Sequence, residues 1–284
     1  MITVENIALA PNLIFDVSTA GPKDGPLVLM LHGFGVSRFF WNAQVEALAA
    51  AGYRAAAPNQ RGYAINARPD PGDHASYHID LLINDALNLA TALGRKRFHL
   101  AGHDWGGSLS WHIADQKPER LASLTMLSRP HPRAFLAALA LPDGEQKRRS
   151  AHHSRFLDPK AGPDNLADDA KWLRTRLKAN GVPEATIERH LSVIGNPQAM
   201  EAALAWYRAR GVTHEPAGPT KVPTLFIWGD ADDTVGRAAA EGTEKFIDAP
   251  YQFAALPGVG HYAADQVPDK VNALMLEHLR RHPV

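Results

Sequence analysis

Short apolar runs alternate with helical periodicity along this chain, and one long interval without strand character interrupts them. Ile2 to Leu9 and Leu13 to Thr19 are predicted strands, joined as a hairpin around Pro11-Asn12. Leu27 to Leu31 is a continuous apolar run, the pattern of a strand buried on both faces. It ends in His32-Gly33-Phe34-Gly35. An amphipathic segment follows over residues 39–51 and is closed by Gly52. Arg54 to Ala57 is another short strand, ended by Pro58. Tyr77 to Leu93 is a long predicted helix, closed by Gly94. Arg97 to Ala101 is a strand, Gly106 to Gln116 a helix and Leu121 to Leu127 a further strand.

This alternation predicts a doubly wound, mostly parallel α/β sheet. The pattern then breaks. From about Arg129 to Thr220 no strand-like run occurs, and the charged, Ala- and Pro-rich stretch reads as several short helices. Strands resume at Thr224 to Trp228 and Gln252 to Leu256, and Val267 to Leu279 is a final helix. The expected organisation is a core of residues 1–129 and 221–284 carrying an inserted helical cap, residues 130–220. The apolar run Ala134 to Leu141 reads either as a wall over a site or as a plain core helix.

Composition narrows the partners. The chain has 284 residues, 45% of them hydrophobic, enough for a large core. Lys plus Arg equals Asp plus Glu at 30 each, so nothing favours a polyanion such as nucleic acid. With no cysteine there is no disulfide, thiolate ligand or cysteine nucleophile. No apolar run approaches the roughly 20 residues that span a bilayer. The first residues lack a basic n-region, and Glu5 interrupts their apolar stretch. A cytoplasmic location, with no membrane partner, is expected.

The chemistry centres on Gly102-His103-Asp104-Trp105-Gly106, a strand–turn–helix nucleophile elbow with aspartate where serine is usual. A carboxylate is a poor acyl-transfer nucleophile, because the anhydride it would form is more reactive than the ester attacked. Attack on saturated carbon gives an ordinary ester that activated water can hydrolyse. Asp104 therefore points to epoxide opening or halide displacement. The second step needs a base and a carboxylate to orient it. His261, in Pro257-Gly258-Val259-Gly260-His261, follows the last predicted strand at the sheet edge where ligands bind. Asp232 follows the preceding strand, with Asp230 and Asp233 as rivals whose plainer reading is turn and helix-cap chemistry. The chain order is nucleophile, acid, base.

These motifs resemble the epoxide hydrolase and haloalkane dehalogenase branch of the α/β-hydrolases over nearly the whole chain. His32-Gly33-Phe34-Gly35, Trp41, Ala57-Pro58-Asn59-Gln60-Arg61-Gly62-Tyr63, Gly102 to Gly107, Trp228-Gly229 with Asp232, and Gly260-His261 fall in family positions. Proline is usual in that branch where Gly35 stands here. The resemblance implies the α/β-hydrolase fold, an oxyanion hole from the backbone N–H groups of Phe34 and Trp105, and no metal or organic cofactor. A homodimer is compatible with it. It also implies two cap donors that protonate the epoxide oxygen. Ala205-Trp206-Tyr207-Arg208 matches one donor stretch, so Tyr207 is a candidate. Counting back from Pro159 puts His152 where the family has its second tyrosine, with His153 as the alternative. The implied activity is addition of water to an epoxide, with an apolar epoxide as the expected substrate.

Two other readings stay open. A haloalkane or haloacid dehalogenase would use the same Asp104, Asp232 and His261. Phe34 is no halide donor, and Trp105 to Ser108 contain none of the arginines that hold a substrate carboxylate in fluoroacetate dehalogenases. A non-catalytic binding protein on this fold would be expected to lose part of the triad, and all three members are present.

Overall fold

The computed structural model describes residues 1–209 and 217–284. Eight strands form one sheet: β1 (Thr3–Ala10), β2 (Leu13–Ala20), β3 (Leu27–Leu31), β4 (Arg54–Pro58), β5 (Phe98–His103), β6 (Leu121–Leu127), β7 (Thr224–Gly229) and β8 (Tyr251–Leu256). Their spatial order is β1-β2-β4-β3-β5-β6-β7-β8. β1 pairs antiparallel with β2 and β2 with β4; every later pairing is parallel. The strand read as buried on both faces, β3, is so, and all residues of β5, β6 and β7 are buried as well. Helices cover both faces of such a parallel sheet and explain the uninterrupted apolar runs.

The main helices of the sheet layers are α1 (Asn42–Ala50), α2 (Ile79–Ala92) and α3 (Asp104–Gln116). Between β6 and β7 lie α4 (Pro132–Leu139), α5 (Glu145–Arg149), α6 (His152–Arg155), α7 (Ala161–Ala179), α8 (Glu184–Ile194) and α9 (Pro197–Arg208). α10 (Arg237–Gly242), α11 (Ala263–Gln266) and α12 (Pro268–Arg281) complete the chain. Part of the expected cap, residues 210–216, lies outside the described residues. No helix among the described residues is long and apolar enough to cross a membrane.

Four local features adjust or add to the sequence reading. The helix expected from Tyr77 starts at Ile79, because His78 accepts the Asp80 N–H and caps it, after a 3-10 turn over His74–Tyr77. The helix expected from Gly106 begins at Asp104 itself, so the nucleophile candidate is its first residue. α4 is a packing helix: Ala134, Phe135 and Ala138 are buried and the helix lies against α10. α7 is kinked at Ala167–Ala170, where Asp168, Asp169 and Ala170 all have positive φ.

The chain direction across the sheet reverses around β3 and β5. β3 connects to β4 on one side and pairs with β5 on the other, Leu31 lying opposite Gly102. Loops leaving the carboxyl ends of such neighbours diverge and open a crevice. His32 to Gly35 and Asp104 stand at that point.

Candidate active site

Asp104 has φ +49°, a left-handed conformation that costs a non-glycine residue on the order of 1–3 kcal/mol. Close packing holds the turn. Gly106 donates its N–H to the His32 carbonyl at 3.1 Å. A Cβ on Gly106 would lie 2.2 Å from the Leu31 carbonyl oxygen, so only glycine lets the helix start approach β3. Gly33 meets the elbow from the other side, where a Cβ would lie 2.4 Å from the Asp104 Cβ. The side chain of Asp104 is thus aimed at the crevice, 8% exposed.

Its two oxygens are distinct. Oδ1 accepts the Phe34 backbone N–H at 2.9 Å. Oδ2 stands 3.9 Å from His261 Nε2, beyond direct hydrogen bonding. Burial pushes the Asp104 carboxyl up, but the charges of His261 and Arg129 and the Phe34 N–H outweigh it and hold the group well below the usual carboxylate range. Asp104 is ionised at neutral pH.

The Phe34 loop is braced by His32. Burial pushes that imidazole down to about 3, so it is neutral. Its Nδ1–H donates to the Gly33 carbonyl at 3.0 Å, and its Nε2 accepts the Gln60 N–H at 3.3 Å. Trp105, the second residue of α3, is 8% exposed, with its ring 5.8 Å from that of Trp206.

His261 follows β8 and is 2% exposed. Its Nδ1–H donates to the Asp232 carboxylate at 3.0 Å, leaving Nε2 as an acceptor facing Asp104. Asp232 is fully buried and its Oδ1 also accepts the N–H groups of Thr234 and Val235 at 2.7 and 3.0 Å. The rivals are engaged elsewhere: Asp230 accepts the Gly258 N–H at 2.7 Å, and Asp233 lies 3.4 Å from Arg176. Burial works against the charge on His261, but Asp232 and then Asp104 lift its pKa above the 6.5 usual for histidine.

Tyr207, on α9, reaches the same crevice. Its ring lies 5.1 Å from Trp105, 5.4 Å from Phe34, 4.9 Å from Phe156 and 5.7 Å from His153. Trp206 beside it donates to the Arg61 carbonyl at 3.0 Å and anchors α9 on the sheet domain. His152 lies near but is turned away as a donor. Its Nδ1–H donates to the Arg149 carbonyl at 3.1 Å, which makes Nε2 of the neutral ring an acceptor. Burial, then the Arg176 charge, hold its pKa down to about 4, so the doubly protonated ring is scarce at neutral pH.

Four further residues bear on the site without any local sequence signal. His103 Nε2–H donates to the His261 carbonyl at 3.0 Å, and Asn180, at the end of α7, accepts the His261 N–H at 2.8 Å. Together they fix the His261 backbone from the sheet and from the helical segment. Arg129 is 6% exposed and acts on the Asp104 charge. Arg176 acts on His261. No arginine stands directly after the nucleophile in the chain, yet folding brings the charges of two, Arg129 and Arg176, to bear on the site.

Comparison with known proteins agrees with this architecture. A family model described as the alpha/beta hydrolase fold matches residues 26–268. The chain is 33% identical over 273 residues to AB hydrolase superfamily protein YfhM of Bacillus subtilis, covering 93% of both chains. It is 29% identical over 311 residues to epoxide hydrolase A of Mycobacterium tuberculosis, again covering 93% of each. A solved structure from work on epoxide hydrolases in metagenomes from hot environments superposes with a TM-score of 0.83 at 28% identity, covering 98% of this chain and 99% of that one.

Proposed function

This chain belongs to the α/β-hydrolase fold family, and from that premise we propose that it is an epoxide hydrolase working through a covalent ester on Asp104. It is a hydrolase with epoxide hydrolases among its relatives. The observation that carries the finer reading is the division of labour at Asp104: Oδ1 held by the Phe34 N–H, Oδ2 left open and facing His261.

In the proposed first step Oδ2 attacks an epoxide carbon from the backside. The ring C–O bond breaks, and its oxygen takes a proton from Tyr207 as it leaves. Without that proton the leaving group is an alkoxide, far too basic to depart. The product is a hydroxyalkyl ester of Asp104. In the second step His261 Nε2 removes a proton from water, which attacks the Asp104 acyl carbon. The developing oxyanion sits on Oδ1, where the Phe34 N–H already points, with the Trp105 N–H as its partner. Collapse breaks the bond between the acyl carbon and the alkyl oxygen; that oxygen takes the proton held by His261 as it leaves, which gives the diol, and the proton left on the new Asp104 carboxyl passes to the Tyr207 oxygen. Asp232 holds the imidazole in the tautomer this requires.

The second oxygen donor in this scheme is His153 rather than His152. His153 has its ring near Tyr207, and the neutral His152 ring presents an acceptor. In this scheme the helices between β6 and β7 act as the cap, and no metal or organic cofactor enters either step.

Incubation with a neutral aryl epoxide and, separately, with a bromoalkane tests the proposal. Diol formation from the epoxide is expected. Halide release without any diol would overturn it in favour of a dehalogenase.

A further inference from the structure

A cleft of about 690 Å³ opens beside the site between α5, α6 and α7 and the turn after β7. His152, Trp172 and Arg176 form its half-buried inner wall with the buried Thr234, and Arg149 is half-buried beside them. The carboxylates on it, Asp164, Asp168 and Asp233, are exposed at the rim. The deep part of the cleft therefore carries two guanidinium groups and no carboxylate, whereas the rim acids are screened by water.

Arg149 is committed: it pairs with Glu145 at 2.9 Å and donates to the Asp232 carbonyl. Arg176 is not. Its Nη2 donates to Thr234 Oγ1 at 2.8 Å and reaches Asp233, a half-exposed carboxylate, only at 3.4 Å. Among the described residues Nη1 has no partner, and neither does the buried Nε. The guanidinium carbon lies 5.8 Å from the Trp172 ring centroid and 6.0 Å from that of Tyr262. A planar guanidinium with an open edge is matched to a carboxylate. His152 lines the cleft beside Arg176, and the Asp104 charge bears on the Arg176 guanidinium, which therefore lies within electrostatic reach of the nucleophile.

We propose that the substrate is an epoxide carrying a carboxylate at its non-reacting end, and that Arg176 holds that carboxylate while the epoxide lies at Asp104. This rests on the epoxide reading and adds the substrate class to it. It also replaces the expectation of a wholly apolar epoxide.

The test uses ω-epoxy alkanoates of rising chain length, each paired with its methyl ester, and the saturated alkanoates as unreactive probes in calorimetric binding. At low salt kcat/KM for the matching acid exceeds that of its ester by about tenfold or more, a difference of about 1.4 kcal/mol. The excess resides in KM and shrinks as salt is added. Arg176→Gln removes the acid-over-ester ratio, and Arg176→Lys, which keeps charge but not the fork, retains part of it. A merely structural arginine would lower acid and ester alike and leave the ratio unchanged, which would overturn the proposal. So would a ratio near one in the unaltered protein, a result independent of whether any variant folds. Charge-selective binding of the alkanoate with no diol from any epoxide would fault the epoxide reading and leave the anion site standing. Diol from both partners at equal efficiency would do the reverse.

Discussion

At the residue scale the site depends on which atom of each group is already occupied. Asp104 has one oxygen bound and one open, His261 one nitrogen bound and one open, and His152 has its donor nitrogen spent on Arg149. Replacing Tyr207 by Phe removes the proton donor without changing the ring packing against Trp105, Phe34 and Phe156. The kcat for epoxide opening is expected to fall by about 10²–10⁴-fold, with the fold melting temperature unchanged. His153→Ala is expected to cost more activity than His152→Ala, and parallel kinetics of the two variants check this. The pH dependence follows from the raised pKa of His261. The base must be neutral to accept a proton, so ester hydrolysis falls as pH drops through that pKa. Single-turnover hydrolysis of the ester is expected to show an acid limb, and the His261 ring of the free protein, where Asp104 is charged, is expected to titrate above 6.5 by NMR. Titration of the free-protein ring below 6.5 would contradict its pairing with Asp232 and Asp104.

At the scale of elements, the turn after β3 and the turn after β5 act as one unit. Gly33→Ala drives a Cβ into that of Asp104, so either the Phe34 N–H or the carboxylate must shift. Small misplacements of reacting groups cost about 10²-fold, and kcat is expected to fall by that order in a protein whose circular dichroism is unchanged. These turns were legible in the chain because strand, glycine and chemistry coincide there: an apolar run, then His32-Gly33, or Gly102 flanking Asp104. The same was true of His261, alone among the histidines in a glycine-rich turn after a terminal strand. Arg129, Arg176, Asn180 and His103 were not legible. They lie just past the end of β6, on helix α7 and beside it, and within the elbow. Only three-dimensional packing makes them neighbours of His261 and Asp104. The donor choice between His152 and His153 was equally hidden, since it turns on one hydrogen bond to a backbone carbonyl. The apolar run of α4 could be a wall or a core helix by pattern alone; in the structure it packs against α10, and its Phe135 ring lies 6.2 Å from that of His153.

At the scale of the whole molecule, the fold buries many imidazoles in neutral form. Burial pushes His32 and His99 down to about 3 and His131 and His278 down to about 4. The unfolded chain binds those protons near pH 6.5 and the folded chain does not. The stability they permit is complete above pH 6.5 and is lost as pH falls toward their folded values, by about 1.4 kcal/mol per pH unit for each histidine. His261 opposes this with the reverse sign, as a single raised group. The melting temperature is therefore expected to fall steadily from neutrality to about pH 5, and a flat profile would contradict the neutral core. The intact chain also carries the most direct record of its chemistry. In His261→Gln the ester forms but water is not activated, so the alkyl-enzyme accumulates. Intact-mass spectrometry after mixing with an epoxide is expected to show a gain equal to the whole epoxide, since ring opening expels no atom, with the added mass on the peptide that contains Asp104. Absence of any adduct across epoxides that the unaltered protein converts, or an adduct on another residue, would contradict covalent catalysis at Asp104.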